Sequence, residues 1–124
     1  MTHRIEHWLH ALITDLPGAE IVMKPEWDAL ILWVAGKQFG RLGTDPSGER
    51  ILTIKGDPHE NEALRAEFTA VVPGYYSNKR HWNSVALDRE EVPEDRVREM
   101  VLGSYALVVE TLTKRQRAAL ADPQ

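Results

Sequence analysis

The sequence contains no cysteine, so it can form no disulfide, no thiolate metal site and no thiol nucleophile, and a reducing compartment suits it. It also lacks any uncharged apolar run near the roughly twenty residues that a membrane span needs. Its most apolar stretch, 29–35, is bracketed by Asp28 and Lys37. A surplus of positive charge is missing as well. Fifteen Lys and Arg face 19 Asp and Glu, a formal charge of −4, so any binding to nucleic acid or anionic lipid must come from a local patch that defeats the overall field. There is no repeat, low-complexity tract or long linker. What remains is 124 residues, 43% hydrophobic and 27% charged, which reads as one domain over 1–124, cytoplasmic and monomeric by default.

The first fifteen residues carry Ile5, Trp8, Leu9, Leu12 and Ile13 at helical spacing and read as an amphipathic helix. After Leu16-Pro17-Gly18 the texture changes to short apolar segments broken by turn residues, the pattern of an antiparallel meander. Strands are expected over 19–24, 29–35, 38–42 and 50–55, with 29–35 central and covered on both faces. A second helix starts at Asp57-Pro58-His59-Glu60, where Asp57 can cap, Pro58 suits the first turn and Glu60 stands at the capping-box position. Leu64, Phe68 and Val71 give it an inner stripe and Pro73-Gly74 ends it. A fifth strand over 82–87 and a last helix over 93–112, with Val97, Val101, Tyr105, Val108 and Leu112 on one side, complete an α+β order α-β-β-β-β-α-β-α.

The densest polar and aromatic cluster is Tyr75-Tyr76-Ser77-Asn78-Lys79-Arg80-His81-Trp82-Asn83, with two fixed positive charges and no carboxylate. Lys and Arg offer charge-assisted bonds to phosphate or carboxylate oxygens, Asn and His add directional contacts, and the rings supply stacking surfaces. The same residues would equally serve as a solvated connection, Trp82 anchoring the strand and His81 and Asn83 locking the loop to backbone groups. His3, His7 and His10 share a helical face, but with no fixed fourth ligand nearby they imply no metal site, and no cofactor is expected. Walker, dinucleotide, zinc-protease and nucleophile-elbow motifs are all lacking. Ser77, His81 and Asp88 could be written as a triad, yet no strained turn or oxyanion loop accompanies them. Of the four Trp, only Trp27, beside Glu26 and Asp28, is a candidate for exposure; the others read as core.

The segment Asn78-Lys79-Arg80-His81-Trp82-Asn83 resembles the hallmark of the MmcQ/YjbR family of small bacterial proteins. Gly36-Lys37 before a Phe-containing strand, Lys55 at a strand end ahead of Asp57-Pro58, and Ser104-Tyr105-Ala106-Leu107-Val108-Val109 resemble further family positions, in the same order. Ser77, Gly56 and the stretch 23–27 depart from the usual pattern. The resemblance implies a frataxin-like α+β fold with a double-wing motif and a predicted, non-enzymatic DNA-binding role. On that reading Lys79 and Arg80 would contact phosphate, Tyr75 and Trp82 would stack or support, and Lys37 and Lys55 would widen the patch. Asn78, His81 and Asn83 complete it, and DNA is bound weakly and in a salt-sensitive way. A small anionic ligand, such as a phosphorylated metabolite, or a protein partner is the other use open to the same segment.

Overall fold

A computed structural model describes residues 4–121. One helix, α1 (His7–Thr14), leads into strands β1 (Ala19–Lys24), β2 (Ala29–Val34), β3 (Lys37–Thr44) and β4 (Arg50–Lys55). Then follow α2 (Pro58–Glu67), β5 (Val71–Pro73), β6 (Trp82–Ala86), α3 (Glu94–Glu110) and α4 (Lys114–Ala121). The six strands form one antiparallel sheet in the order β1-β2-β3-β4-β6-β5.

Local chemistry explains most of this. Ala35 and Gly36 both have positive φ, 50° and 77°, as a two-residue hairpin between β2 and β3 requires. The Asp57 carboxylate accepts the amides of His59 and Glu60, capping α2 with Pro58 in its first turn. Helix α2 is shorter than its apolar spacing suggests. Phe68 is already extended (φ −125°, ψ 126°), and Val71 enters β5, a three-residue strand with no periodicity to announce it. The Glu91 carboxylate fixes that corner by accepting from the Thr69 amide and hydroxyl and the Ala70 amide, which hold its pKa down against the opposing effect of desolvation. The last apolar stripe likewise stops at Glu110, and Lys114 to Ala121 form a helix that the sequence reading did not contain.

Core side chains from α1 (Leu9, Ile13), α3 (Val97, Val101, Val108) and the end of α2 (Leu64, Phe68) meet Leu32, Val34, Phe39, Leu52, Ile54 and Val85 on one face of the sheet. Paired residues in an antiparallel ladder share a face, so Ala29, Ile31, Trp33, Arg41, Thr53, Ser84 and Lys24 stand on the other. The described helices contribute nothing to that second face. Strand β2 therefore lies one position in from the sheet edge, not at its centre, and it is covered by a helix layer on one side alone. Ala29 and Ile31 are nevertheless fully buried. Trp8, Trp33 and Trp82 are half-buried, not core, and Trp27 is exposed at 46%.

Candidate functional site

The segment from Tyr75 to Asn83 is built as much by its own hydrogen bonds as by the sheet. The Asn78 side-chain oxygen accepts the amides of Arg80 (2.9 Å) and His81 (3.3 Å), and its carbonyl accepts the amide of Trp82 (3.0 Å). Lys79 Nζ donates to the Gly74 carbonyl at 3.0 Å and lies 5.8 Å from the centre of the Tyr75 ring. Asn78 and Lys79 are thus turn-closing residues, although both remain exposed.

Asn83 is 2% exposed and faces the helix layer, where its oxygen accepts from Arg65 (2.7 Å) and its amide donates to the Asn61 carbonyl (3.2 Å). These bonds fasten it to α2. The Asn61 side chain in turn donates to the carbonyls of Gly56 (3.2 Å) and Arg80 (3.1 Å). A Cβ on Gly56 would fall 2.2 Å from Asn61 Oδ1, so the close approach demands glycine there. Asn61 and Arg65 were not singled out from the sequence. Their signal is a polar residue, Asn61, on the helical stripe that also carries Leu64 and Phe68.

Lys37 is drawn away from the cluster. It pairs with Val34 on the helix side, and its Nζ donates to Thr111 Oγ1 (3.1 Å) at the C-terminal end of α3, where a cation complements the helix dipole. Lys55 is in register with Trp82 at the end of β4, and its amide donates to the buried Ser104 hydroxyl. The Arg80 guanidinium and the His81 ring are exposed and make no hydrogen bond or ion pair among the described residues. The written triad is not assembled: the Ser77 hydroxyl donates to the Tyr75 carbonyl, and Asp88 is held by Arg4 and Arg50.

The loop instead lies across the helix-free face. The Tyr75 amide donates to the Ser84 hydroxyl on that face (3.1 Å), and the ring of Tyr76, 60% exposed, reaches Arg41 on β3, with its centre 5.0 Å from the guanidinium. Arg41 also lies 5.9 Å from the Trp27 ring centre and donates to the Trp27 carbonyl. Lys24 Nζ stands 5.9 Å from the same indole, and the two tyrosine rings are 6.1 Å apart. Lys24, Trp27, Arg41, Tyr76, Tyr75 and Lys79 therefore form one connected run of cation–ring and ring–ring contacts. Three of these six residues, Lys24, Trp27 and Arg41, fall outside the sequence-derived cluster. Period-two alternation of the first three strands would have placed Lys24 and Arg41 on one face.

Neither of two further concavities takes up Lys79, Arg80 or His81. A cleft of about 620 Å³ between α2 and α3 is lined by Asp57, Glu60, Glu67, Glu99 and Glu110 together with Lys55, Asn83 and Arg96. Another, of about 540 Å³, holds Arg4, Arg50 and Asp88. Among the described residues no group of three His, Asp or Glu is placed to hold a metal ion, and no helix is long and apolar enough to cross a membrane. His3 lies outside the described residues; His7 and His10 are exposed on α1.

Fold and site together define a small α+β domain with helices on one side of an antiparallel sheet and a basic, ring-bearing surface on the other. The YjbR family model matches residues 14–107, and the chain belongs to that family. It is 32% identical over 108 residues to the uncharacterized protein YbdF of Escherichia coli O157:H7, covering 86% of this chain and 85% of the relative. It is 29% identical over 106 residues to the uncharacterized protein YjbR of Escherichia coli K12, covering 86% and 88%. The crystal structure of a Deinococcus radiodurans protein with a DUF419 domain superposes with a TM-score of 0.80 at 30% identity, over 93% of this chain and 86% of that one. A Pseudomonas syringae protein shares the fold at a TM-score of 0.70 and 16% identity, over 83% and 98%.

Proposed function

We propose that the protein binds DNA, without catalysis and as a monomer, through the helix-free face of its sheet. The observation that carries this reading is the separation of charge by face. The ladder residues on that side include Lys24 and Arg41 against Glu20, with Lys79 and Arg80 in the adjoining loop, whereas the helix-side cleft sets five carboxylates against Lys55 and Arg96. A net charge of −4 is thereby compatible with a cationic surface of four or so phosphate contacts. Affinity on this footing is modest and falls steeply with salt. The spread of the cations over a strip favours a polyanion over a phosphorylated metabolite, which needs them converging in a pocket.

Fluorescence anisotropy of labelled DNA over a salt series tests it. Wild type and an Arg115→Ala control on α4 should bind at low salt, with log K falling linearly in log salt. Lys24→Ala/Arg80→Ala should weaken binding and lower the slope by about 0.7–0.9 per cation removed. Absence of binding at low salt, or a double variant equal to wild type, would refute the proposal.

A further inference from the structure

We infer that the surface selects single-stranded over duplex DNA, with Trp27 and Tyr76 as platforms on which unpaired bases stack. The inference rests on the DNA-binding reading and deepens it. Its ground is the ring-and-cation run itself. Trp27 and Tyr76 are the two most exposed aromatic residues described, at 46% and 60%, and both are held by the same guanidinium, that of Arg41. The backbone also bears strain to present them. Tyr76 itself has φ +61°, and Asp28, which ends the 3-10 turn Pro25–Trp27, has φ +51°, conformations that cost a side-chain-bearing residue free energy and cluster at functional sites.

The alternation of rings with Lys24, Arg41 and Lys79 supplies a stacking surface and a phosphate neutraliser at successive steps. That combination binds single strands with little sequence preference. At about 4.8 Å between neighbouring strands, the run from β1 to the loop over β6 crosses roughly 19 Å of sheet, enough for several nucleotides. A duplex keeps its base faces stacked on one another, so it can use the cations and not the rings. The described elements provide no helix or β-ribbon projecting from this face to enter a major groove.

The test compares a labelled twelve-nucleotide oligothymidylate, the same length of mixed-sequence duplex, and an abasic single strand of equal charge. Wild type should bind the oligothymidylate at least tenfold more tightly than either of the others at one salt concentration. Trp27→Ala and Tyr76→Ala should each lose roughly tenfold or more for the oligothymidylate, with a clearly smaller loss for the duplex and an unchanged far-ultraviolet circular dichroism spectrum. Trp27→Phe and Tyr76→Phe should retain most of the affinity, because they keep a ring. Equal binding of duplex and single strand, or of the abasic strand and oligothymidylate, overturns the inference and leaves DNA binding standing. Binding of none of the three overturns both.

Discussion

Ser104 is fully buried on α3, where its hydroxyl accepts the Lys55 amide (2.9 Å) and donates to the Phe39 carbonyl (2.6 Å). The paired register of β3 and β4 stops at Gly40 and Ile54, and the hydroxyl takes up the next amide and carbonyl. A methyl group in its place strands two buried backbone groups, each costing about 1–3 kcal/mol. Ser104→Ala should therefore lower the unfolding free energy by about 2–4 kcal/mol in urea titration; a loss under about 1 kcal/mol would show that the strands close without the helix. At this scale the sequence was partly legible. It offered Asn83 as a residue that could lock the loop to backbone groups, and the Asn61 carbonyl on α2 is such a group. It could not reveal that Lys37 reaches α3 or that Arg41 reaches Tyr76, because those contacts join residues 74 and 35 positions apart.

At the level of elements, turn and cap chemistry was legible and lengths were less so. Asp57-Pro58 fixed the start of α2, and β4 falls where its alternation put it. Leu64, Phe68 and Val71 continue a helical spacing through a chain that has already turned, because Glu91, 20 residues further on than Val71, captures the corner. The loop before β6 is the element on which the proposed surface most depends. Removing the Asn78 side chain frees the amides of Arg80 and His81 without touching the core. Asn78→Ala should accelerate tryptic cleavage after Lys79 and Arg80 several-fold while leaving the urea midpoint within error; unchanged cleavage would show that Lys79 and Gly74 suffice to hold the loop.

For the molecule as a whole, acid stability is tied to a junction of distant segments. Arg50, on β4, is pulled down in pKa by burial, but the hydrogen bonds it donates to Glu6 and Asp88 outweigh this and raise it. Asp88, held by Arg50 and then Arg4, titrates below the ordinary Asp range despite some desolvation. With its folded pKa below the unfolded one, the native state binds fewer protons. Its contribution is full above about pH 4 and is lost as pH falls through the depressed value. Asp88→Asn should thus narrow the stability difference from wild type as pH drops from 5 to 2, measured by urea melts; a difference constant across that range would exclude the linkage. The strand order carries a separate consequence. Because β6 inserts between β4 and β5, strands β1 to β4 form an unbroken meander, and residues 56–81 make an excursion that rejoins the sheet only beyond it. Lys24, Trp27 and Arg41 ride on the meander; Tyr76, Tyr75 and Lys79 ride on the excursion. The two halves of the surface are thus carried by segments that are not contiguous in the chain. A sub-global opening confined to the excursion would take the surface apart and leave the meander folded, so a strand of DNA spanning both halves would register first as slowed amide exchange in the excursion.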